Sequence, residues 1–237
     1  MLWAGSTWSF HVHILSKGDL IMKKALFLFL CLMVMGTGLF ALEKAVGFGL
    51  LYNYSTTSGD YSINVRGIDY TVDWDLSRNG FGAFGFFGFS RFLEANLGLL
   101  YKNPNKLSYT EKTSVSTASY TVDGVDSVLG LQLGLYGKYP IPLSDTFVFF
   151  PTVGVDAEIS LGGGSKDTDS TVGSHFKWWN DLWLRGGLGM DIFMTQTMFI
   201  RSHLIYGYGI PVGGDATDVG AKSTHGLLIK VGLGWML

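Results

Sequence analysis

The chain has 237 residues, of which 33 are glycine and 15% are aromatic, while only 15% are charged and the formal net charge is −2. Glycine and aromatic content are high, and charge content is low, for a soluble domain. The near-neutral charge gives no support for binding nucleic acid, which relies on a basic surface. The single cysteine, Cys31, lies in a segment that we expect to be removed. We therefore expect no disulfide, thiolate metal site or cysteine nucleophile in the mature chain.

A secretory signal peptide is predicted at residues 22–41. Lys23 and Lys24 form a positive region, which is followed by an apolar run, residues 25–40, and by the small residue Ala41. This order of segments is typical of a cleaved signal peptide. The apolar run is shorter than the roughly 20 residues that a membrane helix needs.

Residues 1–21 do not fit this layout, because a signal peptide starts at its positive region. We interpret them as an upstream extension that results from a start codon assigned too early. The codons for Lys17-Gly18-Asp19 can form a purine-rich string that resembles a ribosome-binding site shortly before Met22. The mature barrel domain is then expected to run from Leu42 to Leu237.

The mature part consists of repeated segments in which apolar residues alternate strictly with small or polar ones. In a strand, alternate side chains face opposite ways. A tilted strand crosses a membrane in about 9–11 residues, which is close to the length of these segments. Eight strands are predicted, at about residues 44–54, 78–89, 92–102, 125–139, 146–161, 178–193, 197–210 and 224–237.

The connections between these strands differ in a regular way. Those after the second, fourth and sixth strands are short, and the fourth connection is predicted as a turn at residues 140–145. Those after the first, third, fifth and seventh strands are long and polar. Short turns on one side and long loops on the other are typical of outer-membrane barrels. Parts of the first two long connections also alternate, and we interpret them as extensions of the hairpins above the membrane.

The last strand shows the pattern most clearly. One of its faces is apolar throughout, and it comprises Leu227, Ile229, Val231, Leu233, Trp235 and Leu237. The other face is mostly small and carries Lys230. A soluble sheet would bury its apolar face and show polar residues to water, whereas this pattern favours a narrow polar interior and an apolar face turned to lipid. An amphipathic strand of a soluble sandwich is the alternative.

Aromatic residues fall near both ends of the predicted strands. Two such belts are expected at the two membrane interfaces, because amphipathic rings favour the headgroup region. The predicted interface residues are Tyr52, Tyr101, Tyr139, Trp178, Tyr206 and Trp235.

Charged side chains are predicted on the inward face of several strands. They are Glu94, Asp156, Glu158, Asp181, Arg185, Asp191, Arg201, His203 and Lys230. Eight strands enclose an interior just wide enough for side chains, so these charges are expected to form hydrogen-bonded ion pairs. We predict a ladder of acid–base contacts across the fifth to eighth strands, with Asp191 opposite Arg201. Its role is predicted to be a structural plug, and a gate or ion path is the alternative.

No enzyme motif is present, so no catalytic residue, cofactor or metal site is predicted. The glycine run at residues 162–166 lacks the spacing of a phosphate-binding loop. Ser202 and His203 are adjacent on a strand and therefore point to opposite faces, so they cannot form a nucleophile–base pair.

The chain from Leu42 to Leu237 resembles the small eight-stranded outer-membrane β-barrel proteins, on its alternation and its closing strand. The usual family ending is a terminal aromatic residue, whereas this chain ends with Trp235 and then Leu237. The resemblance implies a monomeric protein of a bacterial outer membrane that contacts lipid and, during insertion, the barrel-assembly machinery. It leaves two functions open. One is a structural and surface-interaction role in which long loops meet extracellular ligands, and the other is a narrow channel for small or apolar solutes.

Overall fold

A computed structural model of the protein describes residues 44–113, 116–122, 127–164, 180–212 and 220–237. These residues form ten β-strands joined by turns. The strands are β1 (Ala45–Val65), β2 (Ile68–Ser90), β3 (Leu93–Lys112), β4 (Thr117–Val122), β5 (Ser127–Lys138), β6 (Ile141–Ser144), β7 (Phe147–Gly164), β8 (Asn180–Phe193), β9 (Met198–Val212) and β10 (Ala221–Met236). Within the described ranges, no helix is long and apolar enough to cross a membrane.

Eight of the strands close into a ring. The strand order is β2-β1-β10-β9-β8-β7-β5-β3, and β2 also pairs with β3, so that the sheet has no open edge around the barrel. All neighbours are antiparallel, and the ring follows chain order. The predicted all-β, eight-stranded antiparallel up-and-down barrel is therefore confirmed.

The two remaining strands are short additions to this ring. β4 pairs with the upper part of β3, beyond the point where β3 pairs with β5. β6 pairs with the start of β7 inside the connection that was predicted as a turn at residues 140–145. That prediction is wrong for residues 141–144, because they are extended and the reversal itself takes place at residues 145–146.

The burial of side chains is inverted relative to a soluble protein. Among the described residues, exposed large apolar side chains outnumber buried ones, while many charged side chains are buried. In β10, for example, Val231 is 51% exposed and the neighbouring Lys230 is 1% exposed. An apolar outer face with a polar interior is stable only where lipid surrounds the barrel, so the strands span a membrane.

The first hairpin continues above the barrel. β1 pairs with β10 as far as Gly59, whereas its pairing with β2 continues to Val65 and Ile68. The tip is a two-residue turn in which Arg66 has φ 55° and Gly67 has φ 84°. Positive φ at both central positions matches the twist of the flanking strands, although it usually selects Asn or Gly at the first of them.

Candidate functional site: the barrel lumen

The lumen is formed by the inward-facing alternate residues of the eight ring strands. Its turn-side layer centres on Arg201 of β9. Arg201 donates from Nε to Asp191 Oδ1 at 2.7 Å and from Nη2 to Asp191 Oδ2 at 2.6 Å, and its Nη1 contacts Glu94 Oε2. Glu94 also accepts from Lys138 Nζ at 3.1 Å and from Asn96 Nδ2 at 3.0 Å. Two buried carboxylates are thus held by two cations and an amide.

Aromatic rings enclose the guanidinium of Arg201. Its Cζ lies 4.5 Å from the ring centroid of Phe86, 4.8 Å from that of Phe199 and 5.6 Å from that of Phe150. A cation over the negative face of an aromatic ring is attracted to it, and more strongly in a desolvated site. The rings and the carboxylates together fix this side chain near the turn-side end of the lumen.

The middle layer centres on Asp156 of β7, which is fully buried. Its Oδ2 accepts from Gln132 Nε2 at 2.8 Å and from the Tyr136 hydroxyl at 2.5 Å. Arg185 Nε lies 2.5 Å from the same oxygen as an ion pair, and its guanidinium stacks 4.3 Å from the ring of Trp183. One carboxylate on β7 therefore holds side chains from both neighbouring strands, β5 and β8.

The loop-side layer contains a second set of buried charges. Lys102 of β3 forms an ion pair with Glu158 of β7. The hydroxyl of Thr224 donates to Asp181 Oδ1 at 3.2 Å and shares a 3.0 Å hydrogen bond with Thr57. This layer closes the polar interior where β1, β8 and β10 meet.

Large apolar side chains fill the space between the polar layers. The buried cluster includes Leu51, Phe84, Phe86, Leu100, Tyr136, Phe199, Ile205 and Leu228. The rings fit because glycines face them. A Cβ added to Gly47 would lie 2.3 Å from the Phe86 ring, and one added to Gly234 would lie 2.3 Å from the Phe199 ring. The lumen is therefore packed with side chains.

All nine charged residues predicted to face the lumen are buried and lie on the inward face. Their contacts differ in part from the ladder that was predicted across the fifth to eighth strands of the barrel, which are β7 to β10 in the structure. Glu158 contacts Lys102 instead of Arg185, because Arg185 lies lower, beside Asp156. Several partners come from β3 and β5, so the contacts cross the lumen as well as joining neighbouring strands.

Two members of the predicted ladder have no acidic partner within ion-pair distance among the described residues. Lys230 donates to Asn96 Oδ1 at 3.3 Å and lies 4.7 Å from the ring of Tyr136. His203 makes no hydrogen bond with either ring nitrogen to a described residue, and it packs 5.3 Å from the Phe150 ring in an edge arrangement.

The predicted lumen network omits three cations whose side chains are buried, Arg78, Lys102 and Lys138. Lys102 and Lys138 have the inward parity of their strands, but they were left out of the predicted network. Arg78 lies where the first long connection was expected to end, and the structure shows that β2 continues through it. The alternation within the predicted strands at residues 78–89, 92–102 and 125–139 gives all three residues the inward parity.

The predicted interface aromatics that the structure describes lie on the outward face. Tyr101, Tyr139 and Tyr206 are 51%, 64% and 58% exposed. Tyr52 packs 5.0 Å from Phe81, and Trp235 packs against Phe48 at 5.8 Å between ring centroids. The sixth predicted residue, Trp178, lies outside the described residues.

The lumen is a polar interior in which most of the charged side chains form ion pairs. In the described part of the chain, no group of three or more His, Cys, Asp and Glu residues could hold a metal ion. Most of the carboxylates are engaged by cations or amides on neighbouring or opposite strands.

The chain matches no protein-family model and no curated protein sequence. Solved structures of bacterial outer-membrane proteins are among those to which it is similar. The outer membrane protein OprG from Pseudomonas aeruginosa is 16% identical, with 83% of this chain and 96% of that chain covered and a TM-score of 0.42. Ail, the attachment invasion locus protein of Yersinia pestis, is 10% identical over 83% and 100% of the two chains, with a TM-score of 0.36. The N-terminal β-barrel domain of OprF from Pseudomonas aeruginosa is 10% identical over 81% and 99%, with a TM-score of 0.34. The pairing of the strands within this chain shows that the fold is a closed, membrane-spanning barrel of eight strands.

Proposed function

We propose that the protein is a non-enzymatic, integral barrel of a bacterial outer membrane with a structural and surface-interaction role. The observation that carries this proposal is the filled lumen. Ion pairs at three levels, with Phe86, Phe199, Leu228 and similar side chains between them, occupy the space through which a solute would pass. The function then resides in what the barrel displays to its surroundings.

The extended hairpins supply an ordered surface for such a role. Above the ring, β1 to β4 form a sheet with one polar face, on which Lys112 Nζ bonds Asp73 Oδ2 at 2.5 Å and Thr110 bonds Ser119 at 3.0 Å. On its other face, Tyr109 stacks on Tyr120 at 5.1 Å. Paired strands hold these side chains in place better than an unpaired loop would, because the entropy of ordering the backbone is already lost.

A narrow channel for small or apolar solutes is the second candidate, and one observation favours it. Arg185 Nη1 and Nη2, both ring nitrogens of His203 and the amide of Asn53 are buried without a hydrogen-bond partner among the described residues. Buried polar groups of this kind are normally satisfied by water. A thread of water along these groups would be the starting point for conduction.

Conductance separates the two candidates. Protein refolded and inserted into planar lipid bilayers is expected to give no current steps above those of the bare bilayer, because the lumen is packed. A water-filled porin run in the same chamber serves as the positive control. Reproducible single-channel steps would contradict the plug and support the channel.

Processing and location can be tested on the same preparation. The mature protein is expected to begin near Leu42 and to sediment with outer-membrane lipid as a monomer. Intact-mass spectrometry of outer-membrane material checks the start of the chain. Retention of residues 1–21, or of Lys23 and Lys24, would contradict both the late start and the cleavage of a signal peptide at residues 22–41.

A further inference from the structure

The turn-side end of the barrel opens into a cavity of about 200 Å³ that the proposed function does not use. The charged residues that line the cavity are Arg91, Lys138, Arg201 and Asp191. Its apolar lining residues include Phe150. The cavity is therefore amphipathic, and its polar side is part of the buried cluster around Glu94.

The charges at this site do not cancel. Arg91, Lys138 and Arg201 contribute three positive charges, whereas Asp191 in the wall and Glu94 directly behind it contribute two negative charges. Lys138 and Arg201 balance the two carboxylates within the buried cluster, and the surplus positive charge is that of Arg91 at the exposed rim of the cavity. A single negative charge on a bound molecule would balance it.

Hydrogen-bond donors also remain available at the cavity. The ammonium group of Lys138 makes one hydrogen bond among the described residues, to Glu94, although it carries three N–H donors. Arg201 uses three of the five N–H donors of a guanidinium, on Asp191 and Glu94. Only 6% of the Lys138 side chain and 2% of the Arg201 side chain are exposed, so both are held in position before a ligand arrives.

The apolar wall lies directly beside these donors. The Phe150 ring centroid is 5.3 Å from Lys138 Nζ and 5.6 Å from Arg201 Cζ. Phe193, Val148 and Met236 continue the wall. A molecule with a charged group on Lys138 would thus place an apolar body against Phe150.

We propose that this cavity binds the carboxylate of a small monoanionic molecule with an apolar body, such as an aromatic or short aliphatic acid. The carboxylate accepts hydrogen bonds from Lys138 and Arg201, and Arg91 at the rim adds attraction during entry. The volume limits the ligand, because it is below the roughly 300–1,000 Å³ of pockets for drug-sized molecules. The site lies on the side of the short turns, away from the extended hairpins.

Benzoate is a suitable probe, and benzamide is its neutral counterpart of nearly the same shape. Each is titrated by calorimetry or NMR into the full barrel refolded in a nonionic detergent. Benzoate is expected to bind saturably at one site, and about tenfold or more tightly than benzamide, which is the size of effect that a charge-assisted hydrogen bond gives. Equal binding of the two compounds, or no saturable binding of benzoate, would overturn the proposal.

Variants locate the site. Lys138→Met is expected to weaken benzoate binding about tenfold, while Glu94 keeps its contact with Arg201 and the barrel remains folded. Arg91→Gln, at the exposed rim, is expected to weaken benzoate binding several-fold. If Lys138→Met fails to fold, the affinity of Arg91→Gln for benzoate tests the site instead. Lys106→Gln removes an exposed cation from the loop side and is expected to leave binding unchanged. Wild-type affinity in both cavity variants, or an equal loss in Lys106→Gln, would show that the cavity is not the site.

Discussion

Replacing Arg201 with alanine is expected to lower the free energy of unfolding of the barrel by about 3–5 kcal/mol, the range seen when one partner of a buried ion pair is removed. Arg201 holds both oxygens of Asp191, and it also contacts Glu94. Its loss leaves Asp191 buried and uncompensated, since the other cation of the cluster, Lys138, bonds to Glu94. The rings of Phe86 and Phe199 lose their cation at the same time, whereas Phe150 keeps Lys138.

The double variant Arg201→Ala with Asp191→Ala is expected to be more stable than Arg201→Ala alone. Removing Asp191 takes away the carboxylate that the first substitution leaves unpaired, while Glu94 retains Lys138 and Asn96. Denaturant unfolding of the two variants in lipid vesicles measures the difference. Arg201→Lys provides a control, because it keeps the charge but loses the two-point contact with Asp191, and it should fall between wild type and alanine. A double variant less stable than the single one would show that Asp191 has another essential partner.

The pair formed by Arg201 and Asp191 could be predicted from the sequence because its two strands are neighbours in the chain. A short turn joins β8 to β9, so residues at similar distances on either side of it come opposite each other. The structure places Asp191 directly opposite Arg201 in the register. The alternation of apolar and polar residues then shows that both side chains point into the barrel, because every second side chain of a strand lies on the same face of the sheet.

Contacts across the lumen could not be obtained in this way. Glu94 on β3 and Arg201 on β9 meet although β2, β1 and β10 separate them along the sheet. Lys102 on β3 likewise reaches Glu158 on β7, with β5 between them. Such contacts depend on the radius and stagger of the closed barrel, which follow from the whole sheet and not from any one hairpin.

The aromatic filling was missed for a different reason. In β2, residues 81–89 read FGAFGFFGF, so that aromatic residues occur on both faces and alternation gives no contrast there. Phe84 and Phe86 are inward and 3% exposed, whereas Phe81 is outward and 62% exposed. Glycines such as Gly47 and Gly234 marked the inward face as small, but only the structure shows that the rings of Phe86 and Phe199 occupy the room they leave.

Replacing Leu133 with arginine is expected to cost about 2–4 kcal/mol of barrel stability, the range measured for a cation on the lipid face at mid-membrane. Leu133 is outward and 43% exposed, and its partners in the neighbouring strands are Leu97 and Ala157, so an arginine here has no buried acid beside it. Leu133→Ala serves as the control for lost apolar contact and is expected to have a smaller effect. Gln132→Arg is the informative comparison, because Gln132 faces inward, donates to Asp156 and lies opposite Glu158 in the register. Its new charge would meet two carboxylates and should cost less than the charge at Leu133. Equal losses for the two arginine variants, measured by unfolding in lipid vesicles, would mean that the outer surface at Leu133 is not in contact with lipid.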